Sequence, residues 1–390
     1  MNKPQIVELF AGAGGMALGL EAVGCVHRAM LELDADACAT LRANWTSDES
    51  STIFEGDVRE FDYRLLQEKV GVIDGVVGGP PCQPFSLGGV GKGAQDARNM
   101  FPETARAIAE LRPKFFLFEN VKGLLRDSFA PYFEYIVDLT TCPCIRREKD
   151  ESWREHWTRL RNVVADLENV DPSSAYRVAW KLVDAADYGV PQRRSRVFIA
   201  GVRRDIDVCP SFPTPTHSLD KLLWDQWVSE KYWDEHKVAT KNRPEKTSDV
   251  RKRVETLKRK FGLFSPASAR YATVRDALSG LPDPSEKNDA LNHEFRPGAR
   301  PYPGHTGSSY DEPSKALKAG VHGVPGGENM IAFPDGTFRY YTTREAARIQ
   351  TFPDSYAFCG APSETMRQIG NAAPVKLTET IAKHLLKQIA

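Results

Sequence analysis

At 390 residues the chain exceeds one small core and suits a large α/β domain joined to a second module. Apolar residues make up 41% and charged residues 27%, ordinary for a soluble globular protein, and no apolar run approaches the roughly 18 residues needed to span a bilayer. The 52 basic and 52 acidic residues cancel, so overall charge gives no sign of a nucleic-acid partner, while seven scattered cysteines argue against a disulfide framework and for a reducing cytosol.

In chain order, MNKPQIVELF enters a strand directly, with no signal-peptide pattern. AGAGG is a tight loop, MALGLEAVG an amphipathic helix, CVHRAMLEL a strand, DADACATLRANW a helix, and EGDV closes a third strand. Further strands are expected at GVIDGVVGG, KFFLFENV, YRVAWKLVDA and RVFIAGVR. Short apolar strands separated by helix-length segments predict a doubly wound, mostly parallel sheet. Residues 140–165 are charged and Trp-bearing and read as a surface insertion with a helix; the Cys142-x-Cys144 pair has no matching ligands, so no metal site is expected. Past 204 prolines, tryptophans and basic residues rise, and 281–336 is predicted to be loop-rich with short strands. TTREAARIQ is predicted as a helix capped by Thr342, with Glu345 placed for a capping box, and VKLTETIAKHLLKQIA closes the chain as a helix. The expected division is 1–204, 205–340 and 341–390.

Several clusters bear chemistry. In GGPPCQPFS, Cys82 stands between prolines at the carboxyl end of a strand, where a nucleophile belongs; a buried structural cysteine is the other reading. FAGAGG, with Glu32 about twenty residues on and Asp57 after the third strand, suits an adenosine-containing cofactor or a plain tight turn. Glu119 follows five mostly aromatic residues, as a proton-holding acid or a strand-end cap. Arg194 and Arg196, at spacing two on an extended strand, would share a face beside an anion, a carbonyl oxygen or solvent. Between 241 and 260 nine Lys or Arg face three acids, either a solvated helix face or a phosphate-contacting surface.

In order, VELFAGAGG, Glu32, GDV, GGPPCQPFS, FENVKG, QRRSR, TTREAARIQTFPDSY and QIGNAAPV resemble the motifs of cytosine-specific, carbon-5 DNA methyltransferases of bacterial restriction–modification systems. The likeness runs from 6 to about 376, leaving out the variable 205–338. It implies that Cys82 attacks cytosine carbon-6, Glu119 binds the ring N3 and amine, Arg194 holds the carbonyl oxygen, and Arg196 supports Glu119 or the loop. For S-adenosylmethionine it assigns Phe10, Ala11, Gly12, Gly14, Gly15, Met16, Glu32, Leu33, Asp57, Val58, Pro80, Asn371 and Ala373. Leu33, where some relatives carry an aromatic, and the small Ala373 and unusual Val375 depart from the pattern.

The resemblance further implies a catalytic and cofactor domain at 1–204, a target-recognition domain at 205–340, and a return segment whose last helix completes the catalytic domain. The base must leave the stack to react. SLGGVGKGAQDARN, with four glycines between Gly88 and Gly93, would close over it, with Lys92 and Arg98 at phosphates. TTREAARIQ would organise the recognition module, with Arg344 and Arg348 on one helical face, unless they form plain surface salt bridges. The implied partner is double-stranded DNA with a specific sequence, the enzyme a cytoplasmic, nucleoid-associated monomer paired with a cognate restriction endonuclease. Alternatives are the same chemistry on transfer RNA, whose Cys-Phe-Thr marker is missing, a silent DNA-binding paralogue, and a nicotinamide-dependent dehydrogenase, which explains nothing at Cys82.

Overall fold

The computed structural model describes residues 3–45, 51–81, 99–303, 305–319 and 329–390. The chain divides into two units: Met1–Val183, Ser195–Pro213 and Thr378–Ala390 form unit 1, and Asp184–Arg194 with Thr214–Leu377 form unit 2. The segment 341–390 is therefore shared, 341–377 belonging to unit 2 and only 378–390 to unit 1.

Unit 1 is built on strands β1 (Gln5–Leu9), β2 (Val26–Glu32), β3 (Thr52–Glu55), β4 (Gly75–Gly78), β5 (Phe115–Val121) and β6 (Tyr176–Asp184). After the two-residue β7 (Gln192–Arg193) comes β8 (Ser195–Arg203), and the sheet order is β3-β2-β1-β4-β5-β8-β6. β1 pairs in parallel with β2 and β4, β2 with β3, and β4 with β5, whereas β8 runs antiparallel to β5. The winding from β1 to β3 proceeds to one side and β4 then starts on the other, so the order reverses between β1 and β4. Ligands bind at the carboxyl ends of strands at such a reversal.

The alternation of strand side chains explains the two covered faces. Ala29 and Leu31 of β2 join Val7, Leu9, Val76, Phe116 and Phe118 in a cluster against α3 (Tyr63–Val70), α4 (Phe101–Leu111) and α5 (Ala130–Thr141). Met30 packs on the other face with Ala17 of α1 (Gly15–Glu21) and Leu41 of α2 (Ala35–Asn44). Within 140–165 the expected helix forms as α6 (Trp153–Ala165), begun by a Ser152–Glu155 capping box. Its inner side is no loose insertion. Trp153 stands edge-on to Tyr132 of α5, Leu160 is buried, and His156 bonds the Tyr135 hydroxyl at 2.9 Å and the Ile145 carbonyl at 2.8 Å.

Unit 2 contains α7 (Leu219–Trp227), α8 (Lys231–Glu235), α9 (Ser248–Phe261), α10 (Val274–Leu278), α11 (Thr343–Ile349) and α12 (Pro362–Asn371). The last helix, α13 (Val375–Ile389), starts in unit 2 and continues into unit 1. Between 281 and 336 the described residues hold only strands of two or three residues, as expected. The Thr342–Glu345 capping box at α11 is also present. Arg344 is no surface salt bridge, which sets that alternative aside for it: it is 1% exposed and donates to the carbonyls of Leu291, Pro353 and Tyr356 at 2.6–2.9 Å. Arg348 pairs with Asp354 and donates to the carbonyls of Ala277 and Ser279. Among the described residues no helix is long and apolar enough to cross a membrane.

Candidate active site

The turn after β1 is held in a left-handed backbone. Phe10, Gly12 and Gly14 have φ of 56°, 55° and 76°, and for the non-glycine Phe10 this costs roughly 1–2 kcal/mol. The Ala11 N–H donates to Leu31 O and the Gly14 N–H to Ala11 O, both at 3.0 Å, fixing the turn against β2. Glu32, ending β2, accepts the Gly12 N–H on Oε2 at 2.7 Å and the Leu33 and Asp34 N–H groups on Oε1 at 2.9 Å. With two lone pairs per oxygen, Oε2 keeps room for one more donor, which a ribose hydroxyl fits. Beside it Leu33 is 69% exposed, an apolar surface for a flat ring. Gly15 and Met16 are buried at the start of α1.

Asp57 caps the turn after β3, accepting the Arg59 N–H and pairing with the Arg59 guanidinium. These side-chain and backbone hydrogen bonds from Arg59, with its charge, hold the Asp57 carboxyl down to about 2. Val58 is buried in the core. The glycine turn, the spare acceptor on Glu32 and the exposed leucine together suit an adenosine-containing cofactor.

The second half of the site lies at β4 and β5. Gly78 ends β4 at φ 155°, and a Cβ there would stand 2.2 Å from Leu9 O, so only glycine fits between β4 and β1. The buried Pro80 accepts from Asn120 Nδ2 at 3.0 Å, tying the segment after β4 to the end of β5. Glu119, 8% exposed, points towards Gly79, with Oε2 3.8 Å from where a Cβ of that glycine would lie. It is not isolated in hydrocarbon: Arg196 Nε of β8 stands 2.5 Å from Glu119 Oε1. Cys82 and the loop carrying Lys92 and Arg98 lie outside the described residues.

Arg194 is set among backbone carbonyls. It belongs to unit 2, is 1% exposed, and donates to Leu317 O at 3.2 Å, Gly370 O at 2.6 Å and Ala372 O at 3.2 Å. It thus clamps the backbone on both sides of Asn371, which ends α12 and precedes the largely buried Ala373. Two glutamines missed in the sequence act with it. The buried Gln192 donates to Gln350 Oε1 at 3.0 Å, and Gln350 donates to Ile369 O and Ala372 O. Gln192 opens QRRSR and Gln350 ends TTREAARIQ, so both lie inside the quoted blocks, where only their pairing across 158 residues was hidden.

Among the described residues one grouping, Glu235, His236 and Asp276, has the spacing of a metal site. The Arg270 guanidinium already occupies both carboxylates, so the cluster carries its own cation.

The model of the C-5 cytosine-specific DNA methylase family matches residues 4–140 and 153–387, leaving only 141–152 as an internal gap. Type II methyltransferase M.PspPI of Psychrobacter is 33% identical over 393 residues, covering 98% of this chain and 79% of that protein. Type II methyltransferase M.Eco47II of Escherichia coli is 33% identical over 401 residues, covering 100% and 81%. In fold the chain is similar to the Dnmt2 methyltransferase of S. pombe, at TM-score 0.55 and 15% identity with 99% of each chain covered. The family match over nearly the whole chain shows that this protein belongs to the C-5 cytosine-specific DNA methylases.

Proposed function

We propose that this enzyme methylates carbon-5 of a cytosine flipped out of a short specific sequence in duplex DNA. The observation that carries the reading is the buried Glu119 at the end of β5, with Arg196 at 2.5 Å and the neighbouring Asn120 bound to Pro80, two residues before Cys82. The Cys82 thiolate adds to cytosine carbon-6, and the electron pair displaced from the 5,6 double bond makes carbon-5 nucleophilic. Glu119 binds the ring N3 and the exocyclic amine and stabilises the charge that develops there. Arg196, beside Glu119, takes the carbonyl oxygen in place of Arg194, which positions the 370–372 backbone instead. S-adenosylmethionine is the methyl donor and supplies the group that ends on carbon-5. Gly12, Glu32, Leu33 and Asp57 hold and orient it. Departure of the carbon-5 proton and elimination of the thiolate restore the aromatic ring and free Cys82.

Unit 2 reads the sequence, as a monomeric cytoplasmic enzyme working at the nucleoid beside a cognate endonuclease. The test is bisulfite sequencing of unmodified duplex DNA after incubation with S-adenosylmethionine, using wild type, Cys82→Ala and Glu119→Gln. The expected result is protection within one short sequence by wild type, none by Cys82→Ala, and much slower protection by Glu119→Gln at unchanged cofactor affinity. Methyl transfer by Cys82→Ala would refute the covalent route, and modification of transfer RNA but not DNA would refute the substrate.

A further inference from the structure

Helix α9 is amphipathic in an unusual way. Val254 and Leu257 are buried with Leu223 and Trp224, while every Lys and Arg of the helix is exposed. Its last turn carries Lys258, Arg259 and Lys260. Arg253 is paired with Asp220 and Lys258 with Glu255, but among the described residues Lys252 and Arg259 have no carboxylate partner.

The helix then stops at Gly262, whose φ of 58° turns the chain away with nothing within 4 Å of where its Cβ would be. Beyond it stand the two most exposed large apolar side chains among the described residues of unit 2, Leu263 at 98% and Phe264 at 81%. They are presented by a built turn rather than a slack loop. The Phe264 N–H donates to Phe261 O at 2.9 Å, Phe261 packs edge-on to Trp224, and Pro266 is buried on the far side. A leucine and a phenylalanine held in water cost stability that burial would return, so a partner surface is implied. The uncompensated cations along the same helix select a polyanion.

We propose that Leu263 and Phe264 enter a groove of duplex DNA and make apolar contact with base edges, while Lys252 and Arg259 meet the phosphates alongside. This rests on the DNA reading above and names side chains that read the sequence. Apolar groups recognise thymine methyls and base steps, whereas cations on phosphates supply affinity without sequence information.

The experiment compares wild type, L263A/F264A and K252A/R259A in bisulfite-read methylation of duplex DNA and in binding of cognate and unrelated duplexes over a salt series. L263A/F264A should keep the wild-type unfolding midpoint, weaken cognate binding about tenfold and narrow the preference over unrelated DNA, with an unchanged salt slope. K252A/R259A should weaken binding to both duplexes alike and lower the salt slope by about two. L263A/F264A with wild-type affinity and preference would overturn the inference. A wild type that self-associates in sedimentation while this variant does not, with DNA binding unaltered, would assign the tip to a protein contact instead. A wild type that modifies no duplex at all would remove the parent reading, a separate failure.

Discussion

Unit 1 and unit 2 are held together by different physics. Unit 1 is an apolar sheet core: Phe116 and Phe118 stack at 5.3 Å, Phe116 packs against Tyr176, and helices cover both faces. Unit 2 has small apolar clusters and relies on buried arginines and acids. Arg275 and Tyr232 share Asp311, Arg270 joins Glu235 to Asp276, and Arg344 and Arg194 each satisfy three carbonyls. Where regular strands are few, backbone carbonyls need other donors, and arginine with its five N–H groups supplies them.

If that contrast holds, an arginine in unit 2 should matter about as much as an aromatic in unit 1. Phe116→Ala should cost about 3–5 kcal/mol through lost burial and a cavity. Arg344→Ala should cost about 3 kcal/mol or more by leaving three buried carbonyls without donors. An Arg344→Ala protein with the wild-type urea midpoint would break the comparison. The two arginines at 194 and 196 sharpen it. Arg194→Ala should lose about 2–3 kcal/mol of stability. Arg196→Ala should cost about 3 kcal/mol by leaving the buried Glu119 without its partner and also slow single-turnover methylation about a hundredfold, while Arg194→Ala costs stability alone; equal rates in the two variants would erase the distinction.

Unit 1 does contain buried charge, notably a cluster in which His27 of β2 bonds Glu8 of β1 at 2.9 Å and stands 3.5 Å from Glu21 of α1. Burial opposes the imidazolium, but the hydrogen bonds and charges of Glu21 and Glu8 outweigh it and raise His27 to about 9. Its folded value lies above the unfolded one, so the stabilisation is full below about 6.5 and lost as pH rises through about 9. Thermal midpoints from pH 7 to 10 should fall for wild type more steeply than for His27→Asn; parallel curves would show the cluster to be electrostatically idle. The smallest effect is expected at Thr342→Ala, about 1 kcal/mol from loss of the α11 cap, read as a urea midpoint shift.

The strands of unit 1 were legible because period and apolarity agree: the runs from QIVELF to RVFIAGVR became strands within a residue or two, except GVIDGVVGG, where β4 begins only at Gly75. The positions of Glu32 and Glu119 near the ends of such runs were legible too. One unbroken strand across QRRSR would place Arg194 and Arg196 on one face. Instead β7 ends at Arg193 and β8 begins at Ser195, so the alternation that would align two guanidinia is broken at Arg194. The carbonyls that capture Arg194 and Arg344 lie up to 178 residues away in sequence. No local pattern encodes that.

The division of the chain has a bearing on synthesis. Thr378–Ala390 belongs to unit 1, but the ribosome makes it only after Thr214–Leu377. At roughly 5–20 residues per second, those intervening 164 residues hold unit 1 without its last helix for about ten to thirty seconds. During that interval unit 1 lacks the segment whose Ile381, Ala382 and Leu385 are buried in the finished chain. Unit 1 is therefore completed last in translation, and a chain truncated before residue 378 is expected to aggregate more than the full chain.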